Sequence, residues 1–478
     1  MSSSVSPPRV RVREVRLTER DVRLRLPFRF GVVTLTESPQ AYVRVRVQRE
    51  DGREAWGMAA EMLAAKWFDK NLALTNEDNF VQLRTSLKIC ADHYLAESTA
   101  RTPFGLSAAH APDQYRASAA KQLNPLVAGY GPALVDRAVL DAVCRMHGVS
   151  FFAAMNANLP GMAPRELAPD LADFDFDTFL AKLRPLTSVH ARHTVGLVDP
   201  ITAADQAPGA RVNDGLPETL EEVVREYGHT YFKLKVAGDV RADLARLTAI
   251  AAVLDRADAP YHATLDGNEQ YESVDGITEL WTAMERAPAL RRLVASTLFI
   301  EQPLARKTAL ARDVSALSAR RPVIIDESDA EMESFVTARA RGYRGVSSKS
   351  CKGFYKSLIN AARCARWTAE AAAPTYFMSA EDLTTQAGVS VQQDLALVAL
   401  LGLHHVERNG HHYVNGMAAL PVAEQNAFLK AHPDLYGRTA GAVRLRILEG
   451  RIAIGSLACP GYAVAAEPDW PSMRPGRR

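Results

Sequence analysis

Three acidic residues stand at the ends of successive apolar, strand-like runs. The run before these three and the run after them each end in a lysine. In chain order these residues are Lys235, Asp266, Glu301, Asp326 and Lys349. They follow one another at intervals of 31, 35, 25 and 23 residues, each of which fits one strand and one returning helix. The C-terminal strand ends of a (β/α)8 barrel meet at one mouth. The sequence therefore predicts an α/β fold of the TIM barrel type, with these five side chains at the mouth.

A second lysine shares the strand face of the first. Side chains alternate along a strand, so Lys233 and Lys235 in the run 230–236 point the same way. Ammonium groups inside a barrel are costly unless carboxylates or a ligand compensate for their charge. Three converging carboxylates would likewise repel one another and take up a proton unless a cation is bound.

The chemistry of the acidic residues indicates which cation this would be. The set consists of oxygen donors and includes neither cysteine nor histidine, which suits a hard ion such as Mg²⁺ better than zinc. The sequence therefore predicts a magnesium site with lysines on either side of the ion.

Five short motifs, in this order and at this spacing, resemble the enolase superfamily. Within it, the match is to the muconate lactonising enzyme-like branch of the mandelate racemase/muconate lactonising enzyme family. The motifs are Lys233-Leu234-Lys235, Asp266-Gly267-Asn268, Glu301-Gln302-Pro303, Asp326-Glu327-Ser328 and Lys349-Ser350-Cys351-Lys352.

The resemblance implies how the metal would be held. Asp266, Glu301 and Asp326 would bind Mg²⁺, with Asn268 and Glu327 in the shell around them. The ion would stabilise the negative charge that develops when a proton next to a substrate carboxylate is removed.

The resemblance also implies that Lys235 and Lys349 face each other across the substrate as the proton-transferring groups. A lysine is a poor base unless its pKa is lowered, and Lys233 together with the metal would lower that of Lys235. Two further residues are candidates for substrate contact. Lys352 could bind a substrate anion, and Glu407, at the predicted end of the eighth strand, could bind substrate or act as an electrophile.

The function expected from these residues is Mg²⁺-dependent abstraction of the proton alpha to a carboxylate, through a metal-stabilised enolate. Racemisation or epimerisation, cycloisomerisation and β-elimination all remain open, so the enzyme would be an isomerase or a lyase. An Asp-x-Asp that would hold a substrate amine near the eighth strand is absent, which disfavours dipeptide epimerisation. Two alternatives stay open, a noncatalytic metal-binding barrel and an aldolase that forms a Schiff base on Lys235 or Lys349.

The resemblance implies that the remaining chain forms an α+β capping domain. Residues 1–170 would form its main part, with a helical insertion around 99–119. Residues 190–412 would form the barrel, and residues 413–478 would return to complete the cap. Two loops of the cap, near Gly31 and Gly57, would close over the barrel mouth.

Three barrel strands and one long loop are predicted from local patterns. The first strand is expected at 193–198, the seventh at 375–379 and the eighth at 403–407. The polar segment 199–217 is a candidate lid, because long loops inside compact domains are commonly functional.

Four histidines occur between His404 and His412. Adjacent histidines in a strand point to opposite faces, and the oxygen site already accounts for an ion, so we expect no metal site there.

Composition excludes several classes of partner. The 478 residues are 47% hydrophobic and 23% charged, with a formal net charge of +2, which indicates neither nucleic-acid nor membrane binding. The odd number and scattered positions of the 5 cysteines favour a reducing, cytoplasmic location. The expected partner is a small-molecule carboxylate, and the resemblance implies a homo-oligomer.

Overall fold

The computed structural model describes residues 6–31, 33–257, 259–371 and 375–476. Its strands lie in three sheets. They are β1 (Val10–Phe30), β2 (Val33–Arg49), β3 (Glu54–Met62), β4 (Ser188–Val195), β5 (Tyr231–Lys235), β6 (His262–Asp266), β7 (Thr297–Glu301), β8 (Val323–Ile325), β9 (Gly345–Ser348), β10 (Phe377–Ala380), β11 (His405–Arg408), β12 (Tyr436–Thr439), β13 (Ala442–Leu445), β14 (Arg451–Ala453) and β15 (Arg474–Pro475).

The α-helices separate these strands. They are α1 (Asn76–Ala96), α2 (Pro103–Ala120), α3 (Pro125–Ala128), α4 (Tyr130–His147), α5 (Phe151–Asn156), α6 (Phe176–Lys182), α7 (Leu220–Tyr227), α8 (Val240–Leu254), α9 (Val274–Arg286), α10 (Arg291–Ser296), α11 (Arg306–Ala309), α12 (Ser315–Arg320), α13 (Ser334–Ala340), α14 (Phe354–Glu370), α15 (Val389–Leu400), α16 (Gly410–Tyr413) and α17 (Val422–Ala431). None of the helices in the described part of the chain is both long and apolar enough to cross a membrane.

Strands β4 to β11 form the predicted barrel. Each is parallel to its neighbours, and β11 pairs with β4 to close the ring. Strand β14 adds to the outside of the ring as an antiparallel neighbour of β4. The TIM barrel prediction is confirmed.

The N-terminal strands form a separate antiparallel sheet in the order β15-β1-β2-β3. The last strand of the chain thus pairs with the first, at Thr18 and Glu19. Helix α4 packs on β2 and β3, and one hydrophobic cluster continues from this sheet and its helices into the barrel strands β4, β10 and β11. The division at 1–170, 190–412 and 413–478 stays a prediction.

Local signals fix the returning helices that set the strand spacing. Thr219 and Glu222 form a capping box at the start of α7, and Asp239 caps α8 by accepting a hydrogen bond from the Ala242 amide. Helix α7 ends at Gly228, which has φ +63°, a left-handed conformation that favours glycine.

Several predicted boundaries are wrong by a few residues. The first barrel strand is Ser188–Val195 rather than 193–198, because the Asp199 carboxylate accepts a hydrogen bond from the Gly196 amide and closes a turn there. The seventh and eighth strands are Phe377–Ala380 and His405–Arg408, and each begins two residues later and ends one residue later than predicted.

One predicted cap feature also differs. The segment around Gly57 belongs to strand β3 and is paired with β2 along its whole length, so it is no loop. A Cβ on Gly57 would lie 2.2 Å from the Ala138 carbonyl of α4. Gly57 therefore permits close packing of a helix on the sheet.

The two segments singled out as an insertion and a lid have defined positions. Most of 99–119 forms α2, which packs on α1 and α4. The loop 199–217 is tied to the cap by an ion pair between Arg25 of β1 and Asp214, at 2.5 Å.

Candidate active site

The three predicted metal ligands stand side by side at the barrel mouth. Asp266 and Glu301 end the neighbouring strands β6 and β7, where they are paired in register, and Asp326 follows β8. Each carboxylate side chain is at most 1% exposed.

The ammonium group of Lys233 occupies the middle of the barrel. Its Nζ lies 2.9 Å from Asp266 Oδ2, 2.8 Å from Glu301 Oε2, 2.7 Å from Glu381 Oε2 and 2.9 Å from Glu407 Oε2. One buried lysine thus offsets four carboxylates that would otherwise repel one another.

These contacts shift the pKa values at the centre in opposite directions. Burial alone lowers the pKa of Lys233, but the surrounding carboxylates raise it well above its usual value. Burial, followed by the negative charges of Asp266 and Glu381, raises the pKa of Glu301 well above its usual range despite Lys233. With protein groups alone, Glu301 therefore tends to hold a proton, and a further cation beside it would remove that tendency.

Lys235 and Lys349 occupy opposite sides of the mouth. Lys235 ends β5, the second strand of the ring, and Lys349 follows β9, the sixth, which is half a turn away. Each ammonium group contacts one aspartate: Lys235 Nζ lies 2.5 Å from Asp266 Oδ2, and Lys349 Nζ lies 2.6 Å from Asp326 Oδ2. Although burial opposes it, the Asp326 charge raises the pKa of Lys349 above its usual value.

The other predicted residue of this motif, Lys352, lies behind Asp326. Its Nζ is 3.5 Å from Asp326 Oδ1, 3.0 Å from Asp329 Oδ2 and 2.7 Å from Ser347 Oγ. It is buried by these contacts, so its geometry favours orienting Asp326 rather than touching a substrate.

Asn268 and Glu327 contact each other beside the aspartates. The Asn268 side-chain amide donates to Glu327 Oε1 at 3.1 Å, and the Asn268 backbone amide donates to Asp266 Oδ1 at 2.8 Å. Lys70, from the cap, lies 3.8 Å from Glu327 Oε1 and 2.6 Å from Glu269 Oε2. The cap therefore supplies a positively charged side chain, Lys70, that none of the barrel motifs indicates.

The structure places Glu407 inside the barrel, where Thr194 donates to its Oε1 at 2.7 Å. Glu381, which follows β10, is a site residue to which the sequence analysis assigned no role. It contacts both Lys233 and Arg192, and Ser379 Oγ donates to its Oε1 at 2.6 Å. The available signal was its position, since Glu381 follows the seventh strand as Asp326 follows the fifth.

The residues present fit a divalent cation in their chemistry. Two buried oxygen atoms of the predicted set have no hydrogen-bond donor: Asn268 Oδ1 and Glu327 Oε2. Unpartnered buried oxygens are costly, and hard cations prefer such ligands. The aspartates are engaged by lysines, and the carboxylates of Asp266, Glu301 and Asp326 do not form a trio of oxygens that all lie within 4.8 Å of one another. Binding of an ion would therefore require the aspartates to exchange their lysine partners for it.

A cavity of about 30 Å³ lies between these lysines and the cap. Barrel residues Lys235, Lys349 and Glu407 line one side, and Phe28, Phe30, Leu35 and Trp67 of the cap are among those that line the other. The cavity has space for about one water molecule. Of the described residues that line it, none comes from the loop 199–217.

Sequence comparison assigns the barrel region to a family. Residues 215–425 match the family model described as enolase C-terminal domain-like. None of the curated proteins matches the chain.

Solved structures resemble the whole chain. An enolase from Streptomyces coelicolor has a TM-score of 0.60 at 18% identity, over 96% of this chain and 94% of its own. Muconate lactonizing enzyme from Pseudomonas fluorescens, complexed with muconolactone, has a TM-score of 0.57 at 18% identity, over 96% and 97%. An enolase from Bradyrhizobium, complexed with magnesium and mandelic acid, has a TM-score of 0.59 at 16% identity, over 96% of each chain. At these identities the likeness shows the fold.

Proposed function

Because residues 215–425, which include seven of the eight barrel strands, match the enolase C-terminal domain-like family, we propose that this chain is a Mg²⁺-dependent enzyme of the enolase superfamily that removes the proton alpha to a substrate carboxylate. The reaction would be an isomerisation or a lyase elimination. The observation that carries the proposal is the pair of opposed lysines, Lys235 and Lys349, which line one small cavity above three buried carboxylates.

The proposed metal ligands are Asp266, Glu301 and Asp326, with Asn268 and Glu327 around them. When bound, Mg²⁺ would supply a positive charge that stabilises the negative charge developing on the substrate carboxylate. The oxygens without donors and the raised pKa of Glu301 support this assignment.

Each lysine would act once its aspartate is engaged elsewhere. Asp326 is the main reason why the pKa of Lys349 lies above its usual value. Loss of that contact would let burial lower the pKa, which is what a base at neutral pH requires. With Lys235 on the opposite face, one lysine could take the proton while the other returns it, giving racemisation or epimerisation. The same pair could instead serve cycloisomerisation or β-elimination, with one lysine as base and the other as acid.

The cap favours one kind of carboxylate. Phe28, Phe30 and Leu35 of the cap, together with Leu383 from the loop after β10, give the cavity an apolar side, which would exclude water and contact an apolar substituent. We expect carboxylates with an aromatic or aliphatic substituent to react better than polyhydroxylated sugar acids. Mandelic acid and muconolactone, the ligands of two structural neighbours, are suitable first compounds.

The test is incorporation of deuterium from D₂O into a panel of carboxylates, followed by NMR with Mg²⁺ or with EDTA. Lys235→Ala and Lys349→Ala are compared with wild type, and Lys307→Ala serves as the control because Lys307 is an exposed lysine on α11. We expect Mg²⁺-dependent exchange in wild type and in the control, with a loss of at least about 100-fold in either site variant.

Two results would contradict the proposal. Exchange that persists in both site variants would remove the lysines from the mechanism. Trapping of a carbonyl substrate by borohydride on Lys235 or Lys349, with no requirement for Mg²⁺, would instead support a Schiff-base aldolase.

A further inference from the structure

Three histidines from distant parts of the chain meet on the outside of the barrel. His193 lies on β4, His229 lies just before β5, and His411 lies in α16 just after β11. The side chains of Arg192 and Thr194, on either side of His193, contact Glu381 and Glu407 inside the barrel. Because side chains alternate along a strand, His193 points away from the carboxylate cluster. The three histidines therefore form a separate site at the seam where β11, β4 and β5 are neighbours.

The ring nitrogens of this histidine trio are close together. One nitrogen from each ring lies within 4.8 Å of the others, and among the described residues no other set of three or more histidine, cysteine or acidic side chains meets that distance. The ring centroids are 5.3 Å apart for His193 and His229, 5.4 Å for His229 and His411, and 5.6 Å for His193 and His411.

Hydrogen bonding leaves these nitrogens available as ligands. Nδ1 of His229 lies 2.9 Å from the Ala191 carbonyl oxygen, and a carbonyl only accepts, so Nδ1 carries the proton. Nε2 of His229 then has a free lone pair, and it is buried without a partner. A backbone carbonyl that fixes the tautomer in this way is typical of metal-binding histidines.

The other two rings also have buried nitrogens without partners: Nδ1 of His193 and both nitrogens of His411. A buried polar atom that is left without a partner is costly. Each of the three rings thus has at least one buried nitrogen without a partner, and the rings meet at one place. A bound cation would satisfy three at once.

From this geometry we propose that His193, His229 and His411 bind a divalent transition-metal ion, with Zn²⁺ the best match. Three imidazoles suit zinc and its neighbours and not Mg²⁺. Tetrahedral Zn–N bonds of about 2.0–2.1 Å place ligand nitrogens roughly 3.3 Å apart, so the rings close up by at most about 1.5 Å. The prediction that the histidine-rich segment has no metal role did not consider His193 and His229.

The charge state of the trio is consistent with ligation. Burial lowers the pKa of His193 and His411 well below the usual value and that of His229 to about 4, so the rings are neutral at physiological pH. The nearby Arg408 is engaged by Asp382 and Asp394.

A neighbouring cavity would let a metal ion reach the histidine trio and would provide space for a fourth ligand. His411 lines a cavity of about 400 Å³ beneath the loop 199–217, together with Tyr227 and Arg408. Water in this cavity would complete the coordination. The ion would link α16, which follows β11, to strand β4 and to the residues just before β5. It would therefore stabilise the closure of the barrel between β11 and β4.

Calorimetric titration of EDTA-treated, full-length protein with ZnCl₂, in the presence of saturating Mg²⁺, tests the proposal. We expect one equivalent of Zn²⁺ to bind in wild type and in His404→Ala, the matched control, because His404 is exposed and lies outside the trio. His411→Ala should weaken binding at least about tenfold. Titration with Co²⁺ should give the visible absorption bands of a nitrogen-ligated tetrahedral site, and His411→Ala should lose them.

His229→Gln, checked for folding by circular dichroism, provides a second variant with the same expected loss. Absence of Zn²⁺ binding in wild type would overturn the proposal. Binding that is equal in His411→Ala and His404→Ala, or that Mg²⁺ displaces, would overturn it as well, since the ion would then be held elsewhere.

Discussion

Lys233 holds together most of the charge at the barrel mouth. Sequence alternation predicted an inward ammonium beside Lys235 that would lower the pKa of its neighbour. The structure surrounds Lys233 with four carboxylates, so much of its charge is already offset.

Replacing Lys233 should destabilise the fold. In Lys233→Met the side chain keeps its approximate length but leaves the carboxylates of four strands without their shared cation. Removing one partner of a buried charge pair costs about 3–5 kcal/mol, and we expect a loss of that size in the free energy of unfolding. Urea denaturation in EDTA, with Lys307→Met as the exposed control, measures it. Equal stability of the two variants would show that the carboxylates are protonated and do not need Lys233.

Glu381 and Arg192 are site residues to which the sequence assigned no role. The three acidic motifs could be recognised in the sequence because each follows a clear apolar run that predicts a strand. The run before Glu381 is short, and Arg192 belongs to a strand whose predicted start was too late. Only the closure of β11 onto β4 brings both into contact with the lysine centre.

At the scale of elements, the segment between β3 and α1 covers the site. Trp67 lies on this segment, and its ring centroid is 4.3 Å from Lys349 Nζ. Lys70 of the same segment donates to the Asn268 backbone carbonyl at 2.6 Å. A cavity of about 30 Å³ is too small for a carboxylic acid of more than a few atoms, so we infer that cap elements move when substrate enters.

Trp67→Ala should impair turnover without unfolding the protein. A desolvated cation–π contact contributes about 2 kcal/mol, and its loss should lower kcat/KM for the exchanging substrate by roughly 10- to 30-fold. Trp56→Ala is the matched control, because Trp56 lies on β3, where its ring contacts arginines of the cap sheet. Unchanged kinetics in Trp67→Ala, measured by the same deuterium exchange, would mean that the segment neither positions Lys349 nor excludes water.

For the whole molecule, a shared core couples the cap to the barrel. One hydrophobic cluster includes Val43 of the cap sheet, Leu140 of α4 and Val406 of β11, and β15 returns to pair with β1. Separate unfolding of the cap would expose part of the barrel's own core to water.

We therefore expect cap and barrel to unfold in one transition. Trp56 reports on the cap and Trp281, which is fully buried in the barrel's second cluster, on the barrel. In one variant Trp56 is the only tryptophan, and in the other Trp281 is the only tryptophan. The fluorescence of each variant should give the same denaturation midpoint as its far-UV circular dichroism. Midpoints that differ between the two variants would indicate independent domains.

The sequence by itself determined the barrel, the carboxylates at its mouth and the opposed lysines, because strand ends at regular intervals must converge once the strands form a closed parallel sheet. Tertiary structure alone decided which charges meet. Lys70, Trp67, Arg192 and Glu381 reach the site, and His193, His229 and His411 reach one another, through contacts between elements far apart in the chain. Such contacts leave no local pattern, since they depend on which strands become neighbours and on where the cap packs.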